Sequence, residues 1–218
     1  MTQHCLILLS SAKEGVSAQS FIQCCTLVHS SFQVQLATPG GKYPEYLHSG
    51  DSTTKWMEDF KTKALAVPMN VSIVDASRYS CLVIPHCPGA PYDLAASNEV
   101  ALILAQFMQH SKPICAVGHG VAALLATASH PQQTSWPFKD VCLTAPTLFD
   151  QSLDRDFSQC PVLLEDGLRD GGARYTGAAP GAPHVVIDRH LVTGQNELST
   201  LTAVQNLVLI CNQLKKTG

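Results

Sequence analysis

Along the chain, short unbroken apolar runs alternate with longer stretches in which apolar positions recur with helical spacing. The runs His4–Leu9, Phe32–Ala37, Cys81–Pro85, Pro113–Val117 and Val141–Thr144 are the length of buried strands. Val71–Val74 reads as a short edge strand, and Ala173–Thr176, His184–Asp188 and Leu191–Thr193 as later ones. Between them, Ser17–Val28, Trp56–Ala66, Leu94–His110, Val121–Ala128, Pro161–Asp170 and Ser199–Lys215 have helical patterning; the last shows an apolar stripe at Leu201, Val204, Val208 and Cys211. Thr38-Pro39-Gly40-Gly41 is a turn, and the polar, interrupted stretch Lys42–Thr54 is expected as a loop or small hairpin over the strand ends. Alternation of this kind predicts one α/β domain over residues 1–218, a mostly parallel sheet with helices on both faces. Ligands then sit beyond the C-terminal ends of the strands.

Composition narrows the partners. Hydrophobic residues make up 45% of the 218, enough for a full core, and the net charge is −3. Apart from Lys215-Lys216 the chain has no basic run, which argues against RNA binding by this chain alone. No apolar stretch approaches the roughly 18 residues of a membrane span, and the N-terminus enters a strand without a basic flank, so neither anchor nor signal peptide is expected. Of nine cysteines, Cys5, Cys81, Cys115, Cys142 and Cys211 lie in apolar runs and Cys24-Cys25 are adjacent. That pattern suits free thiols of a reduced, cytoplasmic protein better than a zinc or disulfide framework.

The candidate chemistry concentrates in Lys112–Leu125, KPICAVGHGVAALL, where a strand meets the turn Gly118-His119-Gly120 and an Ala/Leu-rich helix. Three readings compete for that turn. A dinucleotide site matches GxGxxA, but the acidic residue wanted after the next strand is missing, since Asp140 precedes its strand. A nucleophile elbow, which lifts a side chain above the sheet with N–H donors behind it, fits the pattern better. The remaining alternative is a glycine turn that only packs a helix closely.

Neighbouring phrases carry a resemblance. Ala116–Leu124 reads AVGHGVAAL, Tyr79–Leu94 YSCLVIPHCPGAPYDL, Pro161–Ala173 PVLLEDGLRDGGA and Leu191–Asn196 LVTGQN. Over nearly the whole chain these resemble the PfpI-type branch of the class I glutamine amidotransferase-like superfamily, whose elbow phrase is like AVCHGPAAL. The resemblance implies a three-layer α/β sandwich of flavodoxin type. It also implies a Cys nucleophile at the elbow, an acid from the first helix in a phrase like AEEF, and a histidine from a later loop.

This chain departs at each of those points. Gly118 stands where the nucleophile belongs, and Ala18-Gln19-Ser20-Phe21 replaces the acidic phrase, leaving Ser20, or Gln19 one residue off, without a carboxylate. Glu14 is near in sequence but out of register, and Cys115 lies within its strand. Only His184 or His190 is left for the family histidine, and His119 is the residue that ordinarily follows the nucleophile. The expected site is therefore degenerate (Gly118, His119, Ser20, His184), with Gly89, Ala90, Gly118, His119 and Gly120 as pocket candidates and no catalytic residue. Because relatives carry a side chain at the elbow, position 118 is expected to accept Cys. His86 and His119 follow neighbouring strands, which leaves them able to meet. With His184 they form only a weak metal pattern, and neither metal nor cofactor is expected. Asp188-Arg189-His190 suggests a loop ion pair, and Tyr43, Tyr46 and Trp56 the pocket rim.

What the resemblance implies for function is assembly: a homo-oligomeric, non-catalytic subunit of an early-endosomal complex that serves a Rab-type GTPase and carries mRNA, at the endosome surface without membrane insertion. The alternative is a hydrolase, glyoxalase-like enzyme or small-molecule sensor working from the pocket at His119.

Overall fold

The computed structural model describes residues 3–47, 50–129, 135–154 and 157–217. Its centre is a seven-stranded sheet in the order β10-β11-β7-β6-β1-β3-β5. These strands are β1 (His4–Leu8), β3 (Gln33–Thr38), β5 (Met69–Asn70), β6 (Cys81–Ile84), β7 (Ile114–Val117), β10 (Val185–Asp188) and β11 (Leu191–Gly194). All neighbours are parallel except β10 and β11, an antiparallel hairpin turned at Arg189, whose φ is +56°. The four-residue cores of β6, β7 and β11 are buried throughout, as strands covered on both faces must be.

From β1 the chain steps outward to β3, then returns across β1 to β6 and β7. Right-handed crossovers then put α1 (Ala18–His29) and α4 (Asn98–Gln109) on opposite faces. The contacts agree: α1 packs on α2 (Asp51–Lys61) and on α7 (Thr200–Thr217), whereas α4 packs on the segment after β7. Both central helices begin at a serine cap. Ser17 Oγ accepts from Ser20 N–H at 3.1 Å, and Ser97 Oγ from Val100 N–H at 3.2 Å. Phe21 of α1 is fully buried against Tyr46, Trp56 and Phe60, which fastens α2 to α1.

Several expected boundaries move. The second helix runs from Asp51 to Lys61, not Trp56 to Ala66, because Thr53 and Thr54 hydroxyls donate to Gly50 O and start it early, inside the expected loop. Within that loop β4 (Tyr46–Leu47) pairs with β2 (Val16–Ser17). The edge strand is Met69–Asn70; Val71–Ile73 instead forms a 3₁₀ turn, capped by Asn70 Oδ1 accepting from Ser72 N–H. Leu94 ends a separate short helix, α3 (Ala90–Asp93), so α4 starts later than patterning suggests. β8 (Cys142–Leu143) pairs only with β9 (Arg174–Tyr175), outside the main sheet.

An unanticipated capping-box helix, α5 (Leu148–Ser152), precedes α6 (Leu164–Asp170). The largest departure follows β7: Gly118–Ser129 winds as a 3₁₀ helix, not the expected α-helix. Residues 118–124 are all buried there, so packing against α3, α4 and α6 overrides the helix propensity of its alanines and leucines. Among the described residues no helix is long and apolar enough to cross a membrane.

Candidate functional site

The strand order reverses beside β1, and the site lies at the C-terminal strand ends there. Gly118 follows β7, His86 follows β6, and the loop carrying Glu14 follows β1. Gly118 has φ +55°, a left-handed conformation that a side chain resists. A Cβ added to it would collide with His86 Nδ1, so the imidazole of His86 occupies the space above the turn where an elbow side chain would stand. Gly120 is needed for a different reason: its Cα passes so close to the Pro85 carbonyl that a Cβ has no room. The expectation that position 118 accepts Cys is thereby corrected, since the neighbour has filled the vacancy.

His86 is held by a set of bonds. Its Nδ1 accepts from the His119 N–H at 3.2 Å, which places the proton of the neutral ring on Nε2. Its own N–H donates to Ser20 Oγ at 2.9 Å, and its carbonyl accepts from Ser17 N–H at 2.9 Å. Ser20 is fully buried and pairs with Thr200 Oγ1 at 2.9 Å; it, rather than the half-buried Gln19, faces the site. Burial, and then the nearby His119, hold the His86 imidazole neutral, with its pKa pushed down to about 3.

His119 packs beside that ring, 5.3 Å between centroids, so the two histidines do meet. It is 7% exposed, and its Nε2 lies 3.1 Å from Asp154 Oδ2. It also borders a cavity of about 380 Å³, whose lining includes the polar Lys13, Glu14, Gln151, Asp154 and Cys160 and the apolar or aromatic Leu47, Pro88, Tyr92 and Phe157. Asp93, from α3, anchors the loop that carries Glu14 by accepting from Ser11 N–H at 2.7 Å. Gln151 is fully engaged: Oε1 accepts from Leu164 N–H and Nε2 donates to Val162 O. The Cys160 thiol donates to Val162 O at 3.2 Å.

Other expected site residues lie elsewhere or are otherwise occupied. Gly89 and Ala90 do not line the cavity, and their N–H groups donate to Gly15 O and Cys87 O, leaving no donors to offer a ligand. His184 is at the correct edge of the sheet, beside Gln195, but its Nε2 bonds Thr176 Oγ1 and it does not border the cavity. His190 precedes β11 and so lies at the opposite, N-terminal edge, 3.2 Å from Met108 Sδ. Tyr43 and Tyr46 line a separate pocket with Phe60, and Trp56 stacks on Phe60, so none of the three rims the cavity. Asp188 and Arg189 do pair, at 3.1 Å. All nine cysteines are free thiols. Among the described residues no group of three His, Cys, Asp or Glu is placed to hold a metal.

Comparison with known proteins gives the lineage. No family model matches the chain. The glutamine amidotransferase-like class 1 domain-containing protein 1 of Bos taurus is 47% identical over 211 residues, covering 97% of this chain and 95% of its own length. The chain belongs to that family. The Homo sapiens protein of the same name is also 47% identical, with the same coverage, and that of Danio rerio 45% over 208 residues, covering 95% of this chain and 96% of its own. Among solved structures, glyoxalase III from Candida albicans superposes with a TM-score of 0.78 at 17% identity, over 95% of this chain and 97% of that one. Drosophila melanogaster DJ-1beta gives 0.61 at 16%, over 95% and 91%. At such identities the likeness is one of fold: the glutamine amidotransferase-like chain has the flavodoxin-like α/β architecture of DJ-1/PfpI proteins.

Proposed function

We propose that this chain is a non-catalytic member of its family that works as a subunit of a larger assembly. The observation that carries the first half is the filled elbow: His86 Nδ1 stands where a side chain on Gly118 would go, and Ser20, a hydroxyl, stands in the stretch of α1 where the family resemblance implies a carboxylate. Nucleophilic catalysis at the turn then lacks both the nucleophile and the space for one. The second half rests on resemblance to the vertebrate relatives, which implies a homo-oligomeric subunit of a Rab-effector complex on the early-endosome surface, engaged in mRNA transport from the cytoplasmic side. A net charge of −3 supports RNA being carried by partners and not by this chain alone.

The test is affinity purification of the full chain with mass spectrometry of the co-purifying proteins, alongside native mass spectrometry of the pure protein. A homo-oligomer that co-purifies with a GTPase effector complex is expected. A monomer without such partners, or a tight salt-sensitive RNA shift with the pure protein, contradicts it. A second reading, a hydrolase, glyoxalase-like enzyme or small-molecule sensor, draws on the His119–Asp154 pair beside the cavity. Turnover of methylglyoxal, glutamine or a simple ester by the wild-type chain separates the enzyme versions of it from the non-catalytic reading.

A further inference from the structure

The N-terminal edge of the sheet, opposite the site at Gly118, carries a polar recess that packing alone does not require. It holds about 200 Å³, and its lining includes His4, Gln33, Gln35, Met69, Arg78 and Tyr79. Parallel strands covered on both faces are apolar throughout, as β6, β7 and β11 are, yet β3 opens with two glutamines. Strand register sets the polar groups together: His4 of β1 lies beside Gln33, Gln35 follows on the same face, and Met69 of β5 shares that face. Arg78 joins them from the 3₁₀ turn Ala76–Arg78 that leads into β6. That turn is fixed by the protein itself: Asp75 Oδ1 accepts from Ser77 N–H at 3.0 Å, and Lys112 Nζ donates to the Ala76 and Ser77 carbonyls at 2.8 and 3.0 Å. The donors facing the recess are unspent. Among the described residues the Arg78 guanidinium, the His4 imidazole and the Gln33 amide make no hydrogen bond or ion pair, and no carboxylate lines the recess. A guanidinium held beside two neutral donors presents a planar fork that matches a pair of anionic oxygens.

We propose that this recess binds a small oxyanion, a phosphate monoester or a short carboxylate, with the Arg78 guanidinium forked on two of its oxygens and His4 and Gln33 donating to the anion beside it. The volume lies below the range of about 300–1,000 Å³ usual for drug-sized ligands, which limits the occupant to a small anion. A cation finds no carboxylate to meet it there among the described residues. The recess is separate from the cavity at His119 and needs no reaction, so the proposal stands whether or not the chain is catalytic.

The experiment titrates the full-length protein with sodium phosphate, sodium acetate and sodium chloride at matched ionic strength, read by amide chemical shifts and calorimetry. Phosphate or acetate is expected to saturate with a Kd of about 1 mM or tighter, moving the amides of His4, Gln33 and Arg78, while chloride does not saturate. The tighter of the two oxyanions names the ligand class, phosphate monoester or carboxylate. Arg78→Gln should weaken binding at least about tenfold and Gln33→Ala about fivefold. Lys55→Gln, which removes the same charge from the exposed face of α2, should change nothing. Arg78 and Gln33 are exposed, so both variants should fold, and melting curves check this. If Arg78→Gln does not fold, Gln33→Ala and the three salts on the wild-type chain decide the matter. Non-saturating shifts with all three salts, an Arg78→Gln variant that keeps full affinity, an equal loss in Lys55→Gln, or shifts confined to the cavity at His119 would overturn the proposal.

Discussion

Around Gly118, the histidine that fills the turn has protein partners on its ring, its amide and its carbonyl: His119 N–H, Ser20 Oγ and Ser17 N–H. Beside it, His119, Glu14 and the half-exposed Asp154 line an open cavity. The two regions share His119 and the same strand ends, yet one is closed by packing and the other is left open. Above Gly118, the neighbouring His86 closes the space with a matched set of bonds. At the cavity no such closure occurs. The difference is that the filled turn leaves the adjoining pocket intact.

The largest way to disturb the closed region is Gly118→Cys. It forces a side chain into a left-handed backbone and into the His86 ring, and is expected to cost about 2–4 kcal/mol in urea denaturation. A fully stable variant, with a thiol that titrates well below an ordinary cysteine, would show that the elbow is still open. Ser20→Ala comes next, at about 1–2 kcal/mol, because it leaves the buried His86 N–H without its acceptor and Thr200 without its hydroxyl partner.

Smaller still is the pH effect of His86. Its pKa in the folded protein is about 3 against an ordinary 6.5, so between those values the unfolded chain binds the extra proton and stability falls as pH falls. The wild-type chain should lose about 1 kcal/mol relative to His86→Gln between pH 6.5 and 5.5, measured by denaturation at each pH. Parallel profiles for the two proteins would mean that His86 is not held neutral by its surroundings. At the bottom of the scale lies thiol reactivity. Burial pushes the thiols of Cys25 up to about 11 and of Cys87 up to about 12, and raises Cys115 further. Alkylation by iodoacetamide near pH 6 should therefore be slow and show no single fast site; rapid labelling of Cys160, which lines the cavity, would place a reactive centre in the open region.

How far the sequence reveals these two regions depends on where their residues lie. The strand ends, the Gly-His-Gly turn, the nearness of His86 to His119 and the missing family residues are legible because each sits on or beside a strongly patterned element. Ser20 against Gln19 needed the structure, since a single-residue shift in helix register changes which side chain faces inward. The closure by His86 is not legible, because a glycine in the motif gives no sign of what has moved into its space. The open region is nearly invisible for another reason. Glu14 is out of register with α1, yet the loop after β1 brings it to the cavity, and Gln151, Asp154 and Cys160 arrive from in and around a short capped helix with little periodicity to announce it. Loops assembled from distant stretches leave no spacing to read.

The central claim is that His86 and Gly118 are complementary, each present because of the other. A double-mutant cycle between Gly118→Cys and His86→Ala, read by urea denaturation, tests it most directly. Removing the ring should relieve the clash, so that the cysteine costs at least about 1 kcal/mol less in the His86→Ala background than in the wild type, leaving chiefly the backbone term. An identical cost in both backgrounds would contradict the account, because the space above the turn would then not be the one that His86 fills.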